Sequence, residues 1–162
     1  MQVIEAMVKS VRVCSPEDNL AKVAAIMWEG ACGALPVVDA AGTVASIITD
    51  RDVCIAVGTR SARAADVRVK DVSLPRVFTC SAADDVQQAL QTMVAQNVRR
   101  LPVVDARGKI LGILSIDDLI RCSKESARGG AISYCEVVLA TKAILAGRAL
   151  GHEHPHAELV AV

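Results

Sequence analysis

Residues 3–52 recur at 69–118 without a gap. An offset of 66 residues places fifteen of those fifty positions on an identical residue, among them Val3/Val69, Val11/Val77, Cys14/Cys80, Ser15/Ser81, Asp18/Asp84 and Met27/Met93. The longest shared block is Leu35-Pro36-Val37-Val38-Asp39-Ala40 against Leu101-Pro102-Val103-Val104-Asp105-Ala106, and the glycines Gly42 and Gly108 stay aligned behind it. Whatever one copy folds into, the other must fold into as well. The unit is longer than an ordinary solenoid repeat, so a duplicated small domain is expected.

Each copy reads as β-α-β-β-α. Val11-Arg12-Val13 and Val77-Phe78-Thr79 are short strand candidates. A helix is expected next, with Ser15 or Ser81 as its cap, Asp18 or Asp84 closing a capping box, and Pro16 in the first helical position. Leu20, Val23 and Met27 form one helical stripe, and Val86, Ala89, Leu90 and Met93 the other. Leu35–Val38 and Val44–Ile48 then form a hairpin through Asp39–Gly42; Leu101–Val104 and Ile110–Leu114 do the same through Asp105–Gly108. The returning strands are almost wholly apolar, which predicts cover on both faces. A last helix starts near Thr49 and near Ser115. The expected division is a first repeat at 1–60, a linker at 61–68, a second repeat at 69–125, and a helix with a polar tail at 126–162. Where the copies join, over 58–68, Arg60 and Arg63 read as solvated charges, with a phosphate-facing role as the alternative. Ser133–Arg148 is apolar on most sides and is expected to be buried on the repeat core, on a second subunit, or on both.

Composition narrows the function. Eighteen basic residues balance eighteen acidic ones, and the aromatics are Trp28, Phe78 and Tyr134 alone. Neither a nucleic-acid interface nor an anionic membrane surface is expected from such a chain. Despite a mean hydropathy of +0.39, no apolar run approaches the roughly 18 residues of a membrane span. The start shows no signal peptide, and the six cysteines form no C-x-x-C pair, so reduced thiols in a cytoplasmic protein are expected. The histidines His152, His154 and His156 all lie in the tail, which reads as a polar terminus rather than a metal site. With histidine confined there, and with no P-loop or G-x-G-x-x-G turn, no catalytic residues are expected.

The candidate chemistry lies at two strand-to-helix junctions, Ser46-Ile47-Ile48-Thr49-Asp50-Arg51-Asp52 and Gly112-Ile113-Leu114-Ser115-Ile116-Asp117-Asp118. Thr49 with Asp52, and Ser115 with Asp118, are each capping boxes, which on their own say only that helices begin there. The same geometry can offer free amides to a phosphate and a carboxylate to a ribose diol.

These residues resemble the tandem cystathionine β-synthase (CBS) domain family, the Bateman module. The resemblance spans about residues 3–123 and rests on the in-register duplication, on Leu-Pro-Val-Val-Asp, on Ile-Thr-Asp-Arg-Asp at 48–52 and on Gly-Ile-Leu-Ser-Ile-Asp-Asp at 112–118. It implies an α+β fold of two β-α-β-β-α repeats packed about a pseudo-twofold axis, with the C-terminal helix added. It also implies a cleft between the copies that takes AMP, ADP or ATP, or in some members NAD or S-adenosylmethionine. By that resemblance Asp118 accepts the ribose hydroxyls and Ser115 lies near ribose or phosphate. The base lies against Thr79, Cys80, Ser81 and Pro102, and Arg99 and Arg100 reach the phosphates. Val13 to Ser15, Pro36, Thr49 and Asp52 form the first-copy equivalent, with Arg51 contributing. The family's glycine before the junction is kept as Gly112 but replaced by Ser46, and Gly33 and Ala34 stand where the second copy has Arg99 and Arg100. The second-copy site is therefore expected to be the better one. The expected role is a non-catalytic sensor, homodimeric as family members usually are, acting on a separate effector chain. A structural or interaction module with a vestigial cleft is the alternative, and an enzyme the third reading.

Overall fold

The computed structural model describes residues 1–126 and 130–150. The elements are α1 (Val3–Ala6), α2 (Leu20–Glu29), β1 (Ala34–Val38), β2 (Val44–Thr49), α3 (Asp50–Arg60), β3 (Cys80–Ser81), α4 (Val86–Ala95), β4 (Arg100–Val104), β5 (Ile110–Ser115), α5 (Ile116–Cys122) and α6 (Tyr134–Leu150). They form an α+β fold in which the β-α-β-β-α unit occurs twice and is followed by a C-terminal helix. The tail histidines His152, His154 and His156 lie outside the described residues.

Arg12–Val77 make one compact unit; Met1–Val11 join the described residues from Phe78 onward in the other. In the first, β1 and β2 pair antiparallel with Leu35 opposite Ile48, and Cys14 bridges Val37 in parallel. Leu20, Val23, Met27, Leu35, Val37 and Ile48 fill its core. In the second, β3 pairs parallel with β4, and β4 antiparallel with β5, in the order β3-β4-β5. Val86, Ala89, Leu90, Met93, Leu101, Val103 and Leu114 fill that core. The hairpins match the expected positions because each turn aspartate accepts two local amides. Asp39 takes Ala41 and Thr43, and Asp105 takes Arg107 and Lys109, while Gly42 and Gly108 adopt positive φ.

The repeat-aligned valines Val3 and Val69 show how the leading segments are used. Val3, fully buried, lies in the second-repeat core, and its amide donates to the Asp84 carbonyl at 2.9 Å. Val69, also fully buried, lies in the first-repeat core beside Val67 and Val72. The 61–68 segment is thus packed rather than loose: Leu20 and Ala21 donate to the carbonyls of Val67 and Ala64. Arg60 donates to the Asp71 carbonyl at 2.9 Å, and Arg63 pairs with Asp66.

Two expectations are corrected, and that for the last helix is met in part. The Ser15–Asp18 and Ser81–Asp84 pairs close turns, with the serine amide donating to the aspartate, but neither caps a helix. α2 and α4 begin later, capped by Asn19 and Asp85. The first strand of each copy likewise falls later, at Cys14 and at Cys80–Ser81, because that is where the backbone reaches β1 and β4. The apolar helix α6, closed at its start by a Ser133–Glu136 capping box, is only half buried. Val137, Ala140 and Ile144 pack inward, while Tyr134, Val138, Leu139 and Leu145 are more than half exposed. Among the described residues, no helix is long and apolar enough to cross a membrane.

Gly112 has a definite steric reason. Val8 pairs with Ile113 through reciprocal amide–carbonyl bonds of 2.9 and 3.0 Å, so a Cβ on Gly112 would lie 2.6 Å from the Val8 carbonyl oxygen. The backbone that this glycine admits is the chain's own leading segment. Ser46 holds the equivalent place in β2, which among the described residues gains no such third partner. Gly112→Ala should therefore cost about 1–3 kcal/mol by overpacking. Gly58→Ala, at an exposed α3 position with no atom within 4 Å, should be neutral or stabilise by up to ~1 kcal/mol. Urea denaturation of the two variants against wild type checks both signs.

Candidate functional site

Each junction is built by a reciprocal cap. At the end of β5 the Ser115 amide donates to Asp118 Oδ2 at 2.8 Å, the Ser115 hydroxyl donates to the same oxygen, and the Asp118 amide returns to Ser115 Oγ at 3.2 Å. Thr49 and Asp52 repeat the pattern at the end of β2, at 2.8, 2.7 and 3.3 Å. The capping-box expectation holds at both junctions. The first amide of each helix, by contrast, is already taken. Ile116 N–H donates to the Arg99 carbonyl and Asp50 N–H to that of Gly33, because the neighbouring strand begins beside the helix start. Arg51 N–H donates to Asp50 Oδ1 at 2.7 Å.

The sheet register gathers the second-copy side chains. Arg100 stands opposite Ser115 in the β4–β5 ladder, and the Arg99 carbonyl meets the start of α5. Arg99, Arg100, Ser115 and Asp118 therefore share one corner. Pro102 lies two positions inward, opposite Ile113. The parallel pairing of Cys80 with Val103 continues Thr79 alongside Pro102. Ser81 pairs with Val104, four positions from Arg100, or about 13 Å at ~3.3 Å per residue, and its amide is held by Asp84. It stands at the other end of the sheet from the corner. In the first copy Ala34 stands opposite Thr49 and Pro36 opposite Ile47. Cys14 donates its amide to the Pro36 carbonyl, which sets Val13 beside Pro36, while Ser15 turns away toward Asp18.

Arg121, absent from the sequence-derived candidates, completes the second corner. It lies one helical turn beyond Asp118 and donates through a terminal guanidinium nitrogen to Asp118 Oδ1. The repeat register puts Ile55 in its place in the first copy, so the asymmetry was readable from the alignment. The Asp118 side chain is only 4% exposed, against 69% for Arg121. Arg99 and Arg100 stand where the first copy has Gly33 and Ala34, so the second corner carries basic charge at a place where the first has none. By Arg99 and Arg100 the second copy is the more basic of the two toward an anion.

An apolar recess of about 680 Å³ lies in the first-repeat unit between α2 and α3, lined by Met27, Trp28, Cys32 and Cys54 and bordered by Gly33 and Asp50 of the first-copy junction. Trp28 at its rim is 87% exposed. The aligned Cys14 and Cys80 are core residues: burial first, then the nearby Asp18 or Asp84, pushes each thiol up to about 12. Among the described residues, no group of three or more histidine, cysteine or acidic side chains is placed to hold a metal ion.

The CBS domain model matches residues 3–58 and 69–125. This chain belongs to the CBS domain family. It carries a tandem pair, and its relatives are of two kinds. The inosine-5'-monophosphate dehydrogenase of Methanocaldococcus jannaschii is 33% identical over 121 residues, covering 74% of this chain but only 23% of that protein. The CBS domain-containing protein YhcV of Bacillus subtilis is 30% identical over 125 residues, covering 76% of this chain and 87% of that one. The chain thus spans under a quarter of the dehydrogenase. Among solved structures, the fold matches the CBS domain pair of protein MJ0100 in complex with 5'-methylthioadenosine and S-adenosyl-L-methionine, at 22% identity, a TM-score of 0.67 and coverage of 75% and 94%. It also matches CBSX2 in complex with AMP, at 23% identity, a TM-score of 0.64 and coverage of 74% and 93%.

Cysteine reactivity checks this placement. At pH 8 iodoacetamide should label the exposed Cys54 and Cys135 of the native CBS pair within minutes. Cys14 and Cys80 should react only after denaturation. A raised folded-state pKa makes the buried thiols stabilising below pH 9, the ordinary thiol value here, with that contribution lost as pH rises from 9 toward 12. Peptide mass spectrometry after timed labelling, and melting curves between pH 8 and 11, read the two effects.

Proposed function

We propose that this CBS pair is a regulatory module without catalytic activity that binds an adenine nucleotide, AMP, ADP or ATP, at the second-copy corner. The observation that carries the reading is Asp118, a buried carboxylate with Oδ2 spent on its cap and Oδ1 turned to an exposed arginine, at the strand end that Arg99 and Arg100 open. A carboxylate so placed suits a ribose diol, and arginines suit phosphate. The complexes formed by MJ0100 and CBSX2 support an adenosine-containing ligand for this fold. The surplus of arginine favours phosphate-bearing forms, with NAD next and the cationic S-adenosylmethionine least favoured. The first copy, with Arg51 between two aspartates and Gly33 and Ala34 in place of the arginines, is the weaker site.

The expected setting is a cytoplasmic homodimer acting on a separate effector chain. The apolar side chains left open on α6 and at Trp28 support self-association. They equally suit the second reading, an interaction module in which the nucleotide corner is vestigial.

Isothermal titration with AMP, ATP, NAD and S-adenosylmethionine separates these readings. Asp118→Ala removes ligand hydrogen bonds worth roughly 1–3 kcal/mol, about a 5- to 150-fold rise in Kd. Asp84→Ala breaks a comparable serine–aspartate turn away from the corner and should leave Kd within about twofold. Absence of binding by wild type, or equal weakening in both variants, would refute the site. Greater weakening by Asp52→Ala would reverse the ranking of the copies. Light scattering over a wide concentration range should give a dimer mass, and a persistent monomer would remove self-association.

A further inference from the structure

Asp118 takes one of its partners from a position that is an isoleucine in the first copy. Its Oδ2 accepts both the amide and the hydroxyl of Ser115, which uses the two lone-pair directions of that oxygen. Oδ1 is the oxygen on which a diol would have to act, and the Arg121 guanidinium holds it. The two partners differ in freedom. Asp118 is buried and fixed by its cap; Arg121 is largely exposed on a long flexible stem. Any exchange at Oδ1 therefore moves the arginine and leaves the carboxylate in place. At the aligned position the first copy has Ile55.

We propose that Arg121 is an internal competitor for the ribose-accepting oxygen of Asp118, so that the second-copy corner binds a diol by exchange against its own guanidinium. This rests on the adenine-nucleotide reading above and adds its control. In the unliganded protein Arg121 neutralises a carboxylate that would otherwise be buried without a counter-charge. A ribose supplies two hydroxyl donors in its stead, and the displaced guanidinium returns to water. Arg121 thereby acts through Asp118 as a positioning residue and sets the threshold concentration at which the site fills.

The test compares AMP with 2'-deoxy-AMP on wild type, Arg121→Met and Arg121→Lys. Methionine keeps an unbranched stem of similar bulk without the charge. Arg121→Met should bind AMP about two- to fivefold more tightly than wild type, the upper part of the range expected for an exposed ion pair. It should change affinity for 2'-deoxy-AMP by less than about twofold. Arg121→Lys should stay near wild type. A purely structural role for the pair would shift both ligands alike. Thermal melting confirms that each variant is folded. Unchanged or weaker AMP binding by Arg121→Met, with wild type still binding AMP, overturns the competitor role and leaves the nucleotide reading standing. Equal gains for the two ligands overturn it in the same way. If neither wild type nor Arg121→Met binds any adenosine compound, the nucleotide reading itself fails and takes this inference with it.

Discussion

The reciprocal cap between a strand's last residue and the third residue of the following helix organises each functional corner. A helix beginning directly at a strand end leaves amides without partners in a crowded place. Ser115 and Asp118, like Thr49 and Asp52, supply the missing partners to one another. In the second copy the price is a charge taken almost wholly out of water: Asp118 is 3% exposed. A buried carboxylate needs a counter-charge or strong donors, and from that need follow both the presence of Arg121 and the chemistry this corner can offer a ligand. The cap draws on one oxygen of Asp118 and leaves the other to Arg121.

Duplication has kept the backbone and let the chemistry diverge. The β1–β2 and β4–β5 ladders share one register, including an irregularity at the same step, Val37/Val38 and Val103/Val104. On this common frame the residues at the start of the first ladder strand differ, Gly33-Ala34 against Arg99-Arg100, and so does the residue one turn after the capping aspartate, Ile55 against Arg121. The repeats thus present like geometry and unlike fields. Gly112 marks a second divergence. It admits the backbone of Val8, giving β5 a partner on its outer side, while β2 carries Ser46.

Hairpins, their turns, the core stripes and both capping boxes were legible because local rules decide them: alternation, turn aspartates followed by glycine, and side chains that reach only three residues. The starts of α2 and α4 were not. Ser15–Asp18 and Ser81–Asp84 satisfy the spacing of a capping box yet close turns, since Asn19 and Asp85 stand next in line and cap more directly. At the site, Arg99, Arg100, Ser115 and Asp118 were legible as a group because one antiparallel ladder joins them. Ser81 shows the limit of that inference, for parallel pairing with β4 carries it to the far end of the sheet.

The amino-acid sequence alone determined that this chain holds two copies of one β-α-β-β-α unit, where their hairpins and capping boxes lie, and which copy carries the surplus of arginine. These are matters of identity, spacing and charge, and they survive any arrangement in space. Only the tertiary structure decided that Val3 belongs to the second core and Val69 to the first, and that Gly112 answers to Val8. It alone showed that neighbouring carbonyls take the first amides of α3 and α5, and that Oδ1 of Asp118 is held by Arg121. Each of these depends on which distant backbone or side chain arrives within a few ångströms, and that is a property of packing that no local pattern encodes.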